Sequence, residues 1–261
     1  MRYAIYQMEV VPGQPEKNRE KISDWMKETV SQEKPDVVVF PELWNTGFTL
    51  PELEQLADHN GEKSRSFLQQ LGREYGVNII GGSVATKKNG HFYNTSMVID
   101  RQGNLVYEYD KIHLVPMLDE HRYLKGGHKK VEIFELDGVK MGVIICYDLR
   151  FPELARKLAL DGAEIMHVVA EWPTARRDHW MALQVARAIE NQMYVVTCNN
   201  VGTHDGVTYG GTSMVTDPWG NQVAVGSQEK EETITATLSM EMVPKIREEV
   251  PVFSSRVPEL Y

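Results

Sequence analysis

Short apolar runs alternate with amphipathic stretches along most of the chain. "YAIYQM" (3–8) reads as a first strand. In "PEKNREKISDWMKETV" (15–30), Ile22, Trp25, Met26, Thr29 and Val30 recur at one-face helical spacing, and Pro15 suits a helix start. "DVVVF" (36–40) is short and continuously apolar, which predicts a strand covered on both faces. A second helix is predicted over 64–75, with Phe67, Leu68, Leu71 and Tyr75 on one side, followed by a strand over 77–85. "FYNTSMVID", "RQGN" and "LVYEYDK" predict a hairpin.

Beyond the hairpin, strands flank "LDG" (136–138) and lead into "KMGVIIC". "PELARKLALDG" predicts a helix closed by Gly162, and "RDHWMALQVARAIENQ" a longer one. "AEIMHVVA" and "MYVVTCNN" read as strands, and "GGTSMVTDPWGNQVAVG" and "ETITATL" as strands about a "DPWG" turn. This alternation predicts an α/β fold with mixed sheets over residues 1–240. Residues 241–261 hold three prolines and little periodicity, which predicts an extended C-terminal arm of the same domain, laid on another subunit.

Composition narrows the partners. The 261 residues carry 28 basic and 37 acidic side chains, a net charge of −9, which disfavours nucleic acid and anionic membranes. No apolar window reaches the roughly 18 residues of a membrane span. The two cysteines, Cys146 and Cys198, build no disulfide framework, so a reducing cytoplasm is expected. No metal-ligand spacing or nucleotide-binding glycine pattern is present, and no cofactor is expected.

Three reactive residues stand at predicted strand exits. Glu42 follows "DVVVF", Lys111 closes "VYEYDK", and Cys146 ends "GVIIC". In α/β sheets, sites form beyond the carboxyl ends of strands, so the three can converge across gaps of 69 and 35 residues. A thiol of pKa ~8.5 needs a base, which Glu42 supplies, while Lys111 and the Tyr147 N–H suit an oxyanion. Taken singly, each has a plain reading: a core cysteine, a loop carboxylate, a surface lysine.

The flanking segments decide between these readings. "FPELWNTGF", "YDKIHLVPMLDEHRYLKGG" and "GVIICYDLRFPELAR" resemble the three signature segments of the nitrilase (carbon–nitrogen hydrolase) superfamily, whose catalytic Glu, Lys and Cys match Glu42, Lys111 and Cys146. Similarity continues through "EWPTARRDHWMALQVARAIENQMYVVTCNNVG" and "GGTSMVTDPWG" to "RVPELY". The resemblance implies a four-layer α/β/β/α sandwich, a homodimer or larger assembly, and a second glutamate at Glu120 that positions substrate and tunes the lysine. "CYDLRFPE" and the "EWP..R..HW" segment most resemble the omega-amidase branch, which implies hydrolysis of the terminal amide of 2-oxoglutaramate or 2-oxosuccinamate. Rival expectations are another hydrolase of the superfamily, acting on a nitrile, an N-carbamoyl amino acid or an aliphatic amide, and a catalytically silent binding member.

Arg150, four residues past the cysteine, is the expected carboxylate clamp of a small amide substrate; its alternative is an ion pair with Asp148 or Glu153. Trp172 is a candidate pocket wall and Arg176 a second anion contact. Tyr147 is grouped with them as a substrate contact. Asp148 is expected to hydrogen-bond backbone beyond the nucleophile. His113, His179 and Cys198 are expected to be structural.

Overall fold

The computed structural model describes residues 1–260. Two sheets face one another and each is covered on its outer side by helices, giving the expected α/β/β/α order. The first sheet runs in the order Glu232–Thr237, Arg2–Gln7, Val37–Val39, Asn78–Lys88, His91–Ile99, Leu105–Asp110, with Asp58–His59 paired to Asn78–Lys88. The second runs Gln222–Val225, Met214–Thr216, Tyr194–Asn199, Ile165–Ala170, Val139–Ile145, Phe134–Leu136.

Alternation along the strands assigns the faces. Tyr3, Ile5, Val37 and Val39 pack with Ile145 and Val169 of the opposite sheet. Ala4, Tyr6 and Val38 pack on the other face with Ile22, Trp25, Met26 and Leu68 of the helices Pro15–Glu33 and Glu62–Tyr75. Each such aliphatic side chain contributes about 1.5–3 kcal/mol by leaving water. The helices Pro152–Leu160 and Arg177–Asn191 cover the second sheet through Ala155, Leu158, Trp180 and Ala188. Gly142 lets the Pro152–Leu160 helix press onto its strand, since a Cβ there would lie 2.6 Å from Leu158 Cδ1. Among the described residues, no helix is long and apolar enough to cross a membrane.

One expectation needs correction. The C-terminal arm is not extended throughout: Met242–Glu249 is a helix with Val243 and Ile246 buried. Pro244 sits in its first turn, where a missing N–H costs nothing, so the proline masked rather than prevented the helix. The arm also folds onto its own chain, through Gln192 Nε2 to Val250 O (2.7 Å) and Arg247 Nη2 to Ala163 O (2.6 Å). Tyr261, its last residue, lies outside the described residues. A hairpin absent from the predicted elements, Val201–His204 with Val207–Gly210, is also present. Asp205 and Gly206 both take positive φ at its turn, a pairing its "DG" dipeptide favours.

Between the sheets, His167 is fully buried, with Tyr3 Oη at 3.1 Å and the Gly142 carbonyl at 3.0 Å. Burial pushes its pKa down from 6.5 to about 4. Between those values the unfolded chain holds a proton that the folded chain excludes, so stability falls as pH drops through this window. We expect His167 to contribute a loss of about 3 kcal/mol between pH 7 and pH 4 in urea unfolding. Replacing it with Gln should flatten the slope, and equal slopes for both proteins would refute this account.

Candidate active site

The strand directions bring the candidate residues together. Val37–Val39 runs parallel to Asn78–Lys88, and two antiparallel pairings later Leu105–Asp110 points the same way. In the other sheet, Val139–Ile145, Ile165–Ala170 and Tyr194–Asn199 are all parallel. Their carboxyl ends meet at one end of the sandwich, where Glu42, Lys111, Cys146 and Glu171 leave the strands.

Lys111 lies at the centre, its side chain wholly removed from solvent. Its Nζ donates to Glu42 Oε1 at 2.8 Å and to Glu120 Oε1 at 2.7 Å, and it sits 5.9 Å from the centre of the Phe48 ring. Glu42 also accepts from Asn94 Nδ2 on Oε1 (2.7 Å) and from the Glu171 backbone N–H on Oε2 (2.8 Å). The second of these bonds crosses from one sheet to the other. Glu120 opens the short helix Glu120–Tyr123, and its Oε2 accepts the Val115 N–H at 2.5 Å. It is therefore both a helix-start carboxylate and a partner of the lysine.

Cys146 begins a tight 3₁₀ turn, Cys146–Arg150, with φ at +46°, a left-handed conformation that costs an L-residue about 1–2 kcal/mol. Asp148 holds that turn. It accepts from the Ile145 N–H (3.2 Å), Tyr109 Oη (2.7 Å) and the His113 N–H (3.0 Å), and His113 Nδ1 lies 2.8 Å away. Arg187 braces the far side by donating to Leu149 O at 2.9 and 3.2 Å. Asp148 thus supports the turn as expected, and His113, stacked on Phe151, faces Asp148. Cys198 is buried in the core, its thiol 3.1 Å from Tyr6 O.

Cys146, Tyr147, Arg150, Glu171, Trp172 and Arg176 line one narrow cleft, so the structure gathers every expected substrate contact around the thiol. Arg150 pairs with neither Asp148 nor Glu153. Its guanidinium lies over the Trp172 ring at 4.7 Å, with His179 Nδ1 3.4 Å from Nη1, and among the described residues no carboxylate neutralises it. Trp172 is buried as a cleft wall, held by Nε1–H donation to the Arg176 carbonyl at 2.8 Å. Two participants escaped the sequence reading: Asn94, mid-strand with no local signal, and Glu171, which stands at a strand exit like the others.

Burial governs the charges. It raises the Cys146 thiol well above its ordinary pKa, and the nearby Glu42 carboxylate adds to the effect through a hydrogen bond and its charge, so the resting group is a thiol. Burial alone would lower Lys111, but Glu120 and then Glu42 raise it well above normal. Glu120 is raised by burial despite the lysine. Among the described residues, no group of three His, Cys, Asp or Glu side chains is arranged to hold a metal ion.

The arrangement can therefore hold a neutral thiol beside a carboxylate base, with an ammonium within reach of both. A family model described as carbon-nitrogen hydrolase matches residues 2–248. A 2-oxoglutaramate amidase of Bacillus subtilis is 41% identical over 255 residues, covering 98% of this chain and 97% of that protein. An omega-amidase of Escherichia coli, YafV, is 36% identical, covering 84% and 83%. The crystal structure of Saccharomyces cerevisiae Nit3, a member of branch 10 of the nitrilase superfamily, superposes with a TM-score of 0.90 at 28% identity, covering 98% of this chain and 96% of that one.

Lys111→Met should leave Glu42 and Glu120 buried without their cation, costing about 3–5 kcal/mol in chemical denaturation at pH 7. The deficit should shrink as the pH falls, because protonating the carboxylates removes the uncompensated charge. A pH-independent deficit would show that the ammonium is not what keeps them buried.

Proposed function

The chain belongs to the carbon–nitrogen hydrolase family, and from that premise we propose that it hydrolyses the terminal amide of a small substrate bearing a carboxylate at its other end, the class of 2-oxoglutaramate and 2-oxosuccinamate. The observation that carries this reading is Arg150, an unneutralised guanidinium in the same cleft as the Cys146 thiol. A guanidinium grips a carboxylate through two parallel hydrogen bonds, and with Arg150 over the Trp172 ring and His179 at Nη1, no carboxylate among the described residues takes up its N–H groups. The activity named for the Bacillus subtilis relative agrees with it.

In the proposed reaction, Glu42 takes the Cys146 proton as Sγ attacks the amide carbon. Lys111 Nζ and the Tyr147 N–H stabilise the oxygen as it gains charge. The intermediate collapses to a thioester while Glu42 returns the proton to departing ammonia. Glu42 then deprotonates a water that attacks the thioester, releasing the acid and restoring the thiol. Because the thiol starts neutral, proton removal and attack are coupled, and a preformed thiolate is not required.

Purified protein assayed for ammonia release should favour 2-oxoglutaramate over nitriles, N-carbamoyl amino acids and uncharged aliphatic amides. Ranking 2-oxoglutaramate among the poorest substrates would reject the proposal. Mass spectrometry should trap the acyl group on Cys146, and Cys146→Ala should abolish both adduct and turnover. Arg150→Met should reduce kcat/KM for carboxylate-bearing amides by roughly 10–100-fold, the worth of a charge-assisted hydrogen-bond pair, and barely change uncharged amides. Equal losses on both would mark Arg150 as structural.

A further inference from the structure

Glu171 is 2% exposed and makes a single side-chain hydrogen bond, Oε1 accepting from Asn200 Nδ2 at 2.7 Å. Its other oxygen, Oε2, is buried with no hydrogen-bond partner among the described residues. A buried polar atom left unpaired is destabilising, which is tolerable where a ligand completes it. The residue lines the cleft that holds Cys146, Tyr147, Arg150 and Trp172, and also forms a wall of an adjoining cavity of about 480 Å³ that Cys146 does not reach.

Its place along the cleft is fixed at both ends. The Glu171 N–H bonds Glu42 Oε2, beside the thiol. The next side chain, Trp172, lies beneath the Arg150 guanidinium. Glu171 thus sits between the amide-cleaving end and the carboxylate-gripping end. We propose that Glu171 is a specificity-determining residue that donates its Oε2–H to the 2-oxo oxygen of the substrate, between the carboxylate on Arg150 and the amide at Cys146. This rests on the omega-amidase reading and extends it from the two ends of the substrate to its middle.

The acid form is the one the surroundings support. Burial raises the pKa of Glu171 well above normal, the charge of Glu42 pushes it further, Lys111 pulls back by less than that, and Glu120 adds a lesser push. Tyr209 shares the adjoining cavity wall with Glu171, and Arg150 and Arg176 share the cleft. With Oε1 occupied as an acceptor by Asn200, the proton belongs on Oε2. A site built to hydrogen-bond a substrate oxygen discriminates strongly against an analogue lacking it.

The test compares 2-oxoglutaramate with glutaramate, the same chain without the 2-oxo group, in wild-type, Glu171→Gln and Glu171→Ala proteins. Wild type should prefer the 2-oxo amide by tenfold or more. Gln keeps a donor at the Oε2 position and an acceptor for Asn200, so it should retain the preference. Ala should lose it through a raised KM for 2-oxoglutaramate, with glutaramate nearly unchanged. Equal loss on both amides in Ala, or Gln as damaging as Ala, would overturn the proposal. An infrared difference spectrum, wild type minus Glu171→Gln at pH 7, should show a protonated-carboxyl band, and its absence would also overturn it. Failure of wild type to cleave either amide would overturn the omega-amidase reading and, with it, the 2-oxo assignment; the infrared band would then report only whether Glu171 is protonated.

Discussion

The ammonium of Lys111 is the charge around which this end of the sandwich is built. It is wholly buried, and it is tolerable there only because Glu42 and Glu120 lie within 2.8 Å of it. Those partners come from different elements: a loop after an inner strand of the first sheet, and a short helix after the Lys111 strand. Glu42 is tied in turn to the second sheet by the Glu171 N–H. The carboxylate that neutralises the lysine therefore also ties the two sheets together at this end. Stability and site geometry are not separable here, because removing the cation would unbalance both.

The nucleophile is held by a different device. Cys146 sits at a positive φ that most residues avoid, so the turn that presents it must be over-determined by its neighbours. Asp148 ties the turn to its own strand through Ile145, to Tyr109 of the first sheet, and to His113 just beyond the lysine. Tyr109 and Lys111 flank Asp110 in one stretch of chain, so the thiol's turn and the ammonium are referenced to the same backbone. The resting thiol stays neutral because it is buried beside a carboxylate. That inverts the thiolate–imidazolium arrangement of many cysteine enzymes, and in the proposed reaction the carboxylate is the proton acceptor at the moment of attack.

Much of this was legible in the chain because strand exits are visible in hydrophobic pattern. Glu42, Lys111 and Cys146 each follow an apolar run, and parallel strands deliver such residues to one end. Glu171 obeys the same rule directly after "IMHVVA", yet an acidic residue followed by "WP" reads equally well as the start of a solvated loop. Asn94 faces Glu42 from the middle of a strand, where alternation predicts burial and nothing predicts a polar partner. The helix Met242–Glu249 was hidden by Pro244, and the hairpin at 201–210 by glycines that broke its alternation. What pattern misses is the polar contact made through tertiary packing, since it carries no local period.

Charge placement would also orient the proposed substrate. Behind the Cys146 end of the cleft, Glu42 and Glu120 surround a single buried ammonium; the other end carries Arg150 and Arg176, which among the described residues have no carboxylate partner. A molecule with an amide at one end and a carboxylate at the other fits one way round. Reversed, its carboxylate would be forced against Glu42 in a low-dielectric site where like charges repel strongly, while Arg150 would face a neutral amide. The neutral state of Glu171 matters to this polarity, since a further negative charge midway would repel the same carboxylate as it passed. Acidity of the whole chain and the proposed anionic substrate are thus compatible: the arginine edge sets the local field, and the buried carboxyls disfavour the reversed orientation.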